Sequence, residues 1–147
     1  MTAKELWELF ITQNGLDDCE HEIWAFGVNA DQLAQLVVRG EKTATASAYP
    51  LYEYDREPLP SEGEYSVILD TQDNAVCIIQ TTKVTIVPFD EVTAEHAYKE
   101  GEGDKSLEFW RKVHQKIFTE WMEGAGLQFT LDMKVVCEEF VVVCKQV

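Results

Sequence analysis

A chain of 147 residues, 46% of them hydrophobic, is enough for one domain with its own core, and its four cysteines, none in a CxxC pair, are not needed as staples. Twenty-seven acidic residues against 12 Lys and Arg leave a net charge of −15, which opposes binding to long polyanions such as duplex nucleic acid. What remains open is a local basic pocket, of a size that suits a nucleoside, a flipped base or a short single strand.

The amino terminus MTAKELWELFITQNG lacks the basic-then-apolar pattern of a leader, and no run reaches the roughly 20 apolar residues of a membrane span. A soluble, cytoplasmic protein with reduced thiols is therefore expected; Cys137 and Cys144 lie too far apart on one strand to bond each other. No repeat or linker divides the chain, so a single domain spans 1–147.

Leu6, Trp7, Leu9 and Phe10 predict an N-terminal helix ended by Asn14-Gly15. Asn29 is placed to cap a second helix over 30–39, with Leu33, Leu36 and Val37 inward and Gly40 just past its end. Extended chain follows from Thr43, and YPLYEYDREPLPSEGE, with three of the four prolines, reads as a loop. YSVILD and AVCIIQTTKVTIV read as a hairpin turning at Gln72-Asp73-Asn74 and stopped by Pro88.

Thr93 caps a short helix, AEHAYKE, that Gly101 ends, and GEGDKS is a tight turn. Leu107, Trp110, Val113 or His114, Ile117 and Trp121 then mark one face of a longer helix, capped by Asp104 or Ser106. The valine-rich tail after Gly126 predicts one long or bent strand. The order helix, helix, strands, helix, helix, strand predicts an α+β fold: a small, mostly antiparallel barrel or curved sheet with helices packed at its ends.

The residues with chemical promise begin with Lys42. On a strand, Thr43, Thr45 and Ser47 present their hydroxyls to one face, and Lys42 joins them only if the chain bends at Gly40–Lys42. One reading has Lys42 solvated near a helix C-terminus; the other makes it a base that activates Thr45 or a water. Glu100, Glu102 and Asp104 are candidate partners to orient it. GEGDKS is no phosphate cradle, because it lacks Walker spacing and its acids repel phosphate.

His21, His96 and His114 share no metal-ligand spacing, so no metal or other cofactor is expected. His114 reads as a core histidine, whereas His96, one turn before Glu100, is placed to line that carboxylate's cleft. Tyr49, Tyr52 and Tyr54 either pack over the sheet or form a stacking platform for a base. Trp110 reads as core, and Arg111 is placed to face the GEGDKS turn.

WAFG at 24–27, RGEKTATAS at 39–47, PFDEV at 88–92, EGEGDKSLEFWRKVH at 100–114 and the late VVCEEFVVV together resemble the ASCH domain family, in a larger bacterial form. The resemblance implies a β-barrel related to the PUA domain and a role with RNA or modified nucleosides. In that family a short bacterial branch hydrolyses the amide of N4-acetylcytidine with a lysine, a threonine and a glutamate, and another member is described as a ribonuclease. By motif these three residues are Lys42, Thr45 and, three residues after the Thr-x-x-His-Ala segment, Glu100. The short branch has an arginine where this chain has Ser47, and it lacks the N-terminal helix and the EGEGDKSLEFWR element. The expectation is a metal-independent amidohydrolase whose substrate is lined by Arg39, Ser47, Tyr49, Tyr52, His96, Asp104, Ser106 and Arg111. The rival is an RNA-binding module or weak ribonuclease in which Arg39 and Lys42 meet phosphate.

Overall fold

The computed structural model describes residues 1–146. Helix α1 (Ala3–Asn14) opens with a capping box: Thr2 Oγ1 accepts from the Glu5 amide at 3.1 Å, and Glu5 Oε1 accepts from the Thr2 amide at 3.0 Å. Strand β1 (Glu22–Trp24), helix α2 (Ala30–Val38), strand β2 (Ala44–Ala48) and helix α3 (Tyr49–Asp55) follow. Then come β3 (Tyr65–Leu69), β4 (Ala75–Pro88), a 3-10 turn (Phe89–Glu91), α4 (Ala94–Glu100), α5 (Leu107–Gly124) and β5 (Lys134–Lys145).

The five strands form one sheet in the order β1-β3-β4-β5-β2. Among the described residues only the β1–β3 pair is parallel, and the other three pairs are antiparallel. The predicted barrel is therefore a half-open, curled mixed sheet, with the short strands β1 and β2 at its two edges and no pairing between them among the described residues. The curl follows from the long β4 and β5, whose ladder carries register shifts at Ile78/Ile79 and Thr81/Lys83; an extra residue in one strand bends it and sharpens its twist.

Three apolar clusters hold helices to this sheet. Leu6, Trp7 and Phe10 of α1 pack on Val67, Ala75 and Ile78. Leu33, Ala34, Leu36 and Val37 of α2 pack on Ile68, Cys77, Ile79 and Phe140, joined by Phe26. Trp110, Phe118 and Met122 of α5 pack on Phe89, Val135, Cys137 and Ala48. All four thiols are free.

Several expectations need correction. The loop after Ala48 begins with α3: Pro50 in the first helical turn gives up no needed amide and presets φ. A short strand, β1, precedes α2 where the pattern predicts none, because three residues are too few to show a period. Helix α2 ends at Val38, and Asn29, at φ 46°, makes no side-chain cap. The buried stripe of α5 is Trp110, His114, Phe118 and Met122; Trp121 lies outside it and is 38% exposed. Ser106, not Asp104, caps α5, by accepting from the Phe109 amide at 3.1 Å. Among the described residues, no helix is long and apolar enough to cross a membrane.

Candidate functional site

The end of α2 and the end of α4 are brought together by backbone. The Thr43 amide donates to the Lys99 carbonyl at 2.7 Å, and the Glu41 and Lys42 amides both donate to the Leu36 carbonyl. Gly101 turns the chain out of α4 at φ 71°, so close to the Glu41 carbonyl that no Cβ fits there. This junction aims Lys42 at Glu100.

The two side chains form an ion pair at 3.3 Å, and each residue is only 1% exposed. Lys42 Nζ also donates to the Glu100 carbonyl at 3.5 Å and to Glu102 Oε2 at 2.9 Å, which uses all three ammonium protons. Its charge lies 5.3 Å from the centre of the Phe26 ring, a cation–π distance. Lys42 is thus not a solvated lysine at a helix end, although with Arg39, Gly40 and Thr43 it lines a surface cavity.

Glu100 is the hub of the arrangement. Its Oε2 accepts from His96 Nε2 at 2.7 Å and from the Trp110 indole N–H, while its Oε1 faces Lys42 and, at 3.5 Å, His114 Nε2. Burial alone would raise this carboxyl's pKa, but the Lys42 charge and the hydrogen bonds from His114 and His96 outweigh it and hold the group well below the usual carboxylate range. His114 is fixed by its Nδ1–H donating to the Trp110 carbonyl at 2.9 Å and by stacking on the Trp110 ring at 4.2 Å. A cavity of about 210 Å³ is lined by His96 together with Lys99, Cys137 and Glu139.

Strand β2 separates its residues by alternation. Ala46 and Ala48 pack toward α5, and Thr45 and Ser47 take the other face, which on β5 carries Glu138 and Phe140. Among the described residues Thr45 makes no side-chain hydrogen bond to Lys42; its direct cross-strand partner is Glu138. Ser47 Oγ and the Tyr52 hydroxyl are hydrogen-bonded at 2.7 Å. Burial pushes the Tyr52 hydroxyl's pKa up; the Ser47 bond opposes this, and the nearby Glu138 adds to it. Burial, then the Glu64 charge, pushes the Glu138 carboxyl up to about 7, against a 3.4 Å hydrogen bond from Thr81.

The remaining predicted residues are dispersed. Arg39 pairs with Glu41 at 3.1 Å on the surface, beside a cavity of about 330 Å³ that Lys145 also lines. Lys134 lies over the Tyr49 ring at 5.4 Å. Asp104 accepts from the Ser106 amide at 2.9 Å, so both residues are engaged in shaping the start of α5. Arg111 turns away from the glycine-rich turn and donates to the Asp90 carbonyl at 3.2 Å. Of the three acids expected as partners of Lys42, Glu100 and Glu102 meet it and Asp104 does not, while Trp110, His114 and Glu138 were not among the expected catalytic or substrate-lining residues. Trp110 and His114 do belong to the core by position, and only their N–H groups reveal the second role. Among the described residues no group of three or more His, Cys, Asp or Glu is placed to hold a metal ion.

The comparisons with known proteins fit this architecture. No curated protein matches the chain significantly. Protein EF3133 from Enterococcus faecalis V583, of the DUF984 family, is 38% identical over 97% of this chain and 88% of its own, with a TM-score of 0.90. The ASCH domain from Lactobacillus crispatus JV V101 is 30% identical over 96% of this chain and 93% of its own, with a TM-score of 0.85. The hypothetical protein PH0355, at 18% identity over 82% of this chain and 98% of its own, shares the fold alone, with a TM-score of 0.55. The family profile described as ASCH domain matches residues 22–144, from the start of β1 to within one residue of the end of β5. This chain belongs to the ASCH domain family.

Proposed function

We propose that this protein takes a nucleoside or a short single-stranded RNA and hydrolyses an exocyclic amide of the N4-acetylcytidine type. The observation that carries the reading is the meeting at 3.3 Å of Glu100 with Lys42, which stands three residues before Thr45 in the chain. These are the residue types that the motif matches to the amide-cleaving branch.

As it stands, Lys42 has no free proton to donate and no lone pair to offer, so it is not yet a base. Of its partners Glu102 is the most exposed, at 19% of its side chain, and it sits on a turn between two left-handed glycines. Displacing Glu102 frees one N–H to polarise the amide carbonyl, the charge-stabilising work that suits a fixed ammonium. Thr45 Oγ then attacks that carbon, the C–N bond breaks, and the amine leaves with the proton Thr45 lost. Water cleaves the threonine ester and restores the hydroxyl. Glu100, held ionised by its donors, suits orienting Lys42 rather than carrying protons. The scheme uses no metal.

A panel of N4-acylated cytidines and related nucleoside amides, assayed with wild type and Lys42→Ala, tests the reading. Wild type is expected to release the free amine, and loss of the Lys42 donor to slow it by about 100-fold or more, with melting curves confirming the fold. A panel left intact by folded wild type ends the hydrolase reading. Binding without cleavage is favoured by one observation, the near-complete burial of Lys42 and Glu100. Affinity for single-stranded RNA that falls with salt and with Arg39→Ala would select it.

A further inference from the structure

The scheme above leaves the Thr45 proton without a carrier, since Lys42 is fully donated and Glu100 already accepts from Lys42, His96 and the Trp110 indole. We infer that Glu138 accepts that proton: it stands directly opposite Thr45 in the β2–β5 ladder, on the same face of the sheet. The inference rests on Thr45 acting as the nucleophile.

Thr45 pairs with Glu138 in register, and so does Val84 on the other side, so Glu138 is flanked by a hydroxyl on one strand and an apolar side chain on the next. Directly opposed Cβ atoms lie about 4.5–5.5 Å apart, and a glutamate is long enough to close that gap to a threonine hydroxyl. Both residues are half-buried, whereas Lys42 and Glu100 are each only 1% exposed.

The surroundings suit a proton carrier. The groups facing Glu138 are Thr81 on β4, which donates to its Oε2 at 3.4 Å, Glu64 just before β3, and Tyr52 of α3, itself hydrogen-bonded to Ser47. Among the described residues no cation holds the carboxyl ionised: burial and the Glu64 charge push it up to about 7 against the Thr81 bond. A general base is most effective with a pKa near the working pH.

In the step, the Thr45 O–H bond breaks as Oγ forms an ester bond to the acyl carbon. The proton passes to the Glu138 carboxylate, and from there to the departing amine. Water then attacks the ester, its proton going to Glu138 and on to Thr45 Oγ, and the acid is released.

An activated ester tests this without any nucleoside. Wild type, Thr45→Ala, Glu138→Gln and Glu138→Asp are treated with p-nitrophenyl acetate from about pH 5 to about pH 9, and acetylation is mapped by peptide mass. Wild type is expected to acetylate at Thr45 with a rate that rises through about pH 7 and then levels. Glu138→Gln should be about 100-fold slower and lose that rise, while Glu138→Asp, which keeps the acid one methylene further back, restores part of both. Melting curves admit only folded variants, and the Asp variant carries the comparison should Gln unfold. Absence of Thr45 acetylation in wild type, or a Gln variant with the wild-type rate and pH profile, overturns the inference. If Thr45 acetylates as expected while N4-acetylcytidine is untouched, the amide-hydrolysis reading falls and the role of Glu138 stands.

Discussion

Glu100 is a buried carboxylate met by a lysine, an indole and two histidines, and its energetics follow from that company. Taking one partner out of a buried ion pair leaves the rest uncompensated, which costs about 3–5 kcal/mol. Glu100→Gln keeps the shape and removes the charge, so Lys42 would be left facing Glu102 alone. The folded carboxyl is held well below its unfolded value of 4.5, so its stabilisation is complete above that value and is lost as pH falls through the folded one. Urea unfolding should therefore show Glu100→Gln less stable by about 3–5 kcal/mol at neutral pH, with the gap narrowing below about pH 4. A gap that is constant with pH would mean the loss is packing and not charge. The meeting of Lys42 with an acid of the KEGEGD segment was legible because motif spacing names residue types. Glu138 was not, since a glutamate in a valine-rich strand reads as a solvent-facing residue until the register shows what stands opposite.

Among the elements, the junction between α4 and the start of β2 decides whether the site exists at all. Gly101 and Gly126 both follow helices with nearly equal φ, 71° and 73°, but a Cβ on Gly101 would fall on the Glu41 carbonyl, whereas one on Gly126 meets nothing within 4 Å. The left-handed conformation alone costs a non-glycine residue about 1–2 kcal/mol. Gly126→Ala should show only that cost in urea midpoints. Gly101→Ala should exceed it and should also weaken the Lys42–Glu100 contact, because the only relief is to move the backbone that carries Lys42. Equal losses for the two variants would argue that the close approach at Gly101 relaxes freely. The long helices and the β3–β4 hairpin were legible from period and turn residues. β1 and α3 were hidden by their brevity and by a proline that usually signals a loop.

For the whole molecule, the half-open sheet and the net charge act together. Closure of the predicted barrel fails at two short edge strands, and at the lead-in to β2 the chain is instead tied to the end of α4, by the Thr43 amide donating to the Lys99 carbonyl and by the Lys42–Glu100 ion pair. Sequence pattern could suggest the curl but not this backbone tie, which depends on residues far apart in the chain. The net charge of −15 bears on the same shell, since excess carboxylates repel one another in the folded form more than in the expanded chain. The exposed ion pairs that salt would weaken, such as Lys4–Glu8 with side chains 84% and 60% exposed, contribute little. The buried Lys42–Glu100 pair is hardly screened. Added salt shortens the Debye length to about 10 Å at 0.1 M, so it should relieve repulsion more than it costs in attraction. Melting followed by circular dichroism is expected to rise by several degrees, roughly 1 kcal/mol in stability, between about 10 mM and 300 mM NaCl. Chloride is chosen because sulfate stabilises proteins by exclusion whatever their charge. A melting temperature that falls with NaCl would mean that attractions at the surface outweigh the excess charge. The repulsion would then no longer serve as the physical reason for disfavouring long polyanions.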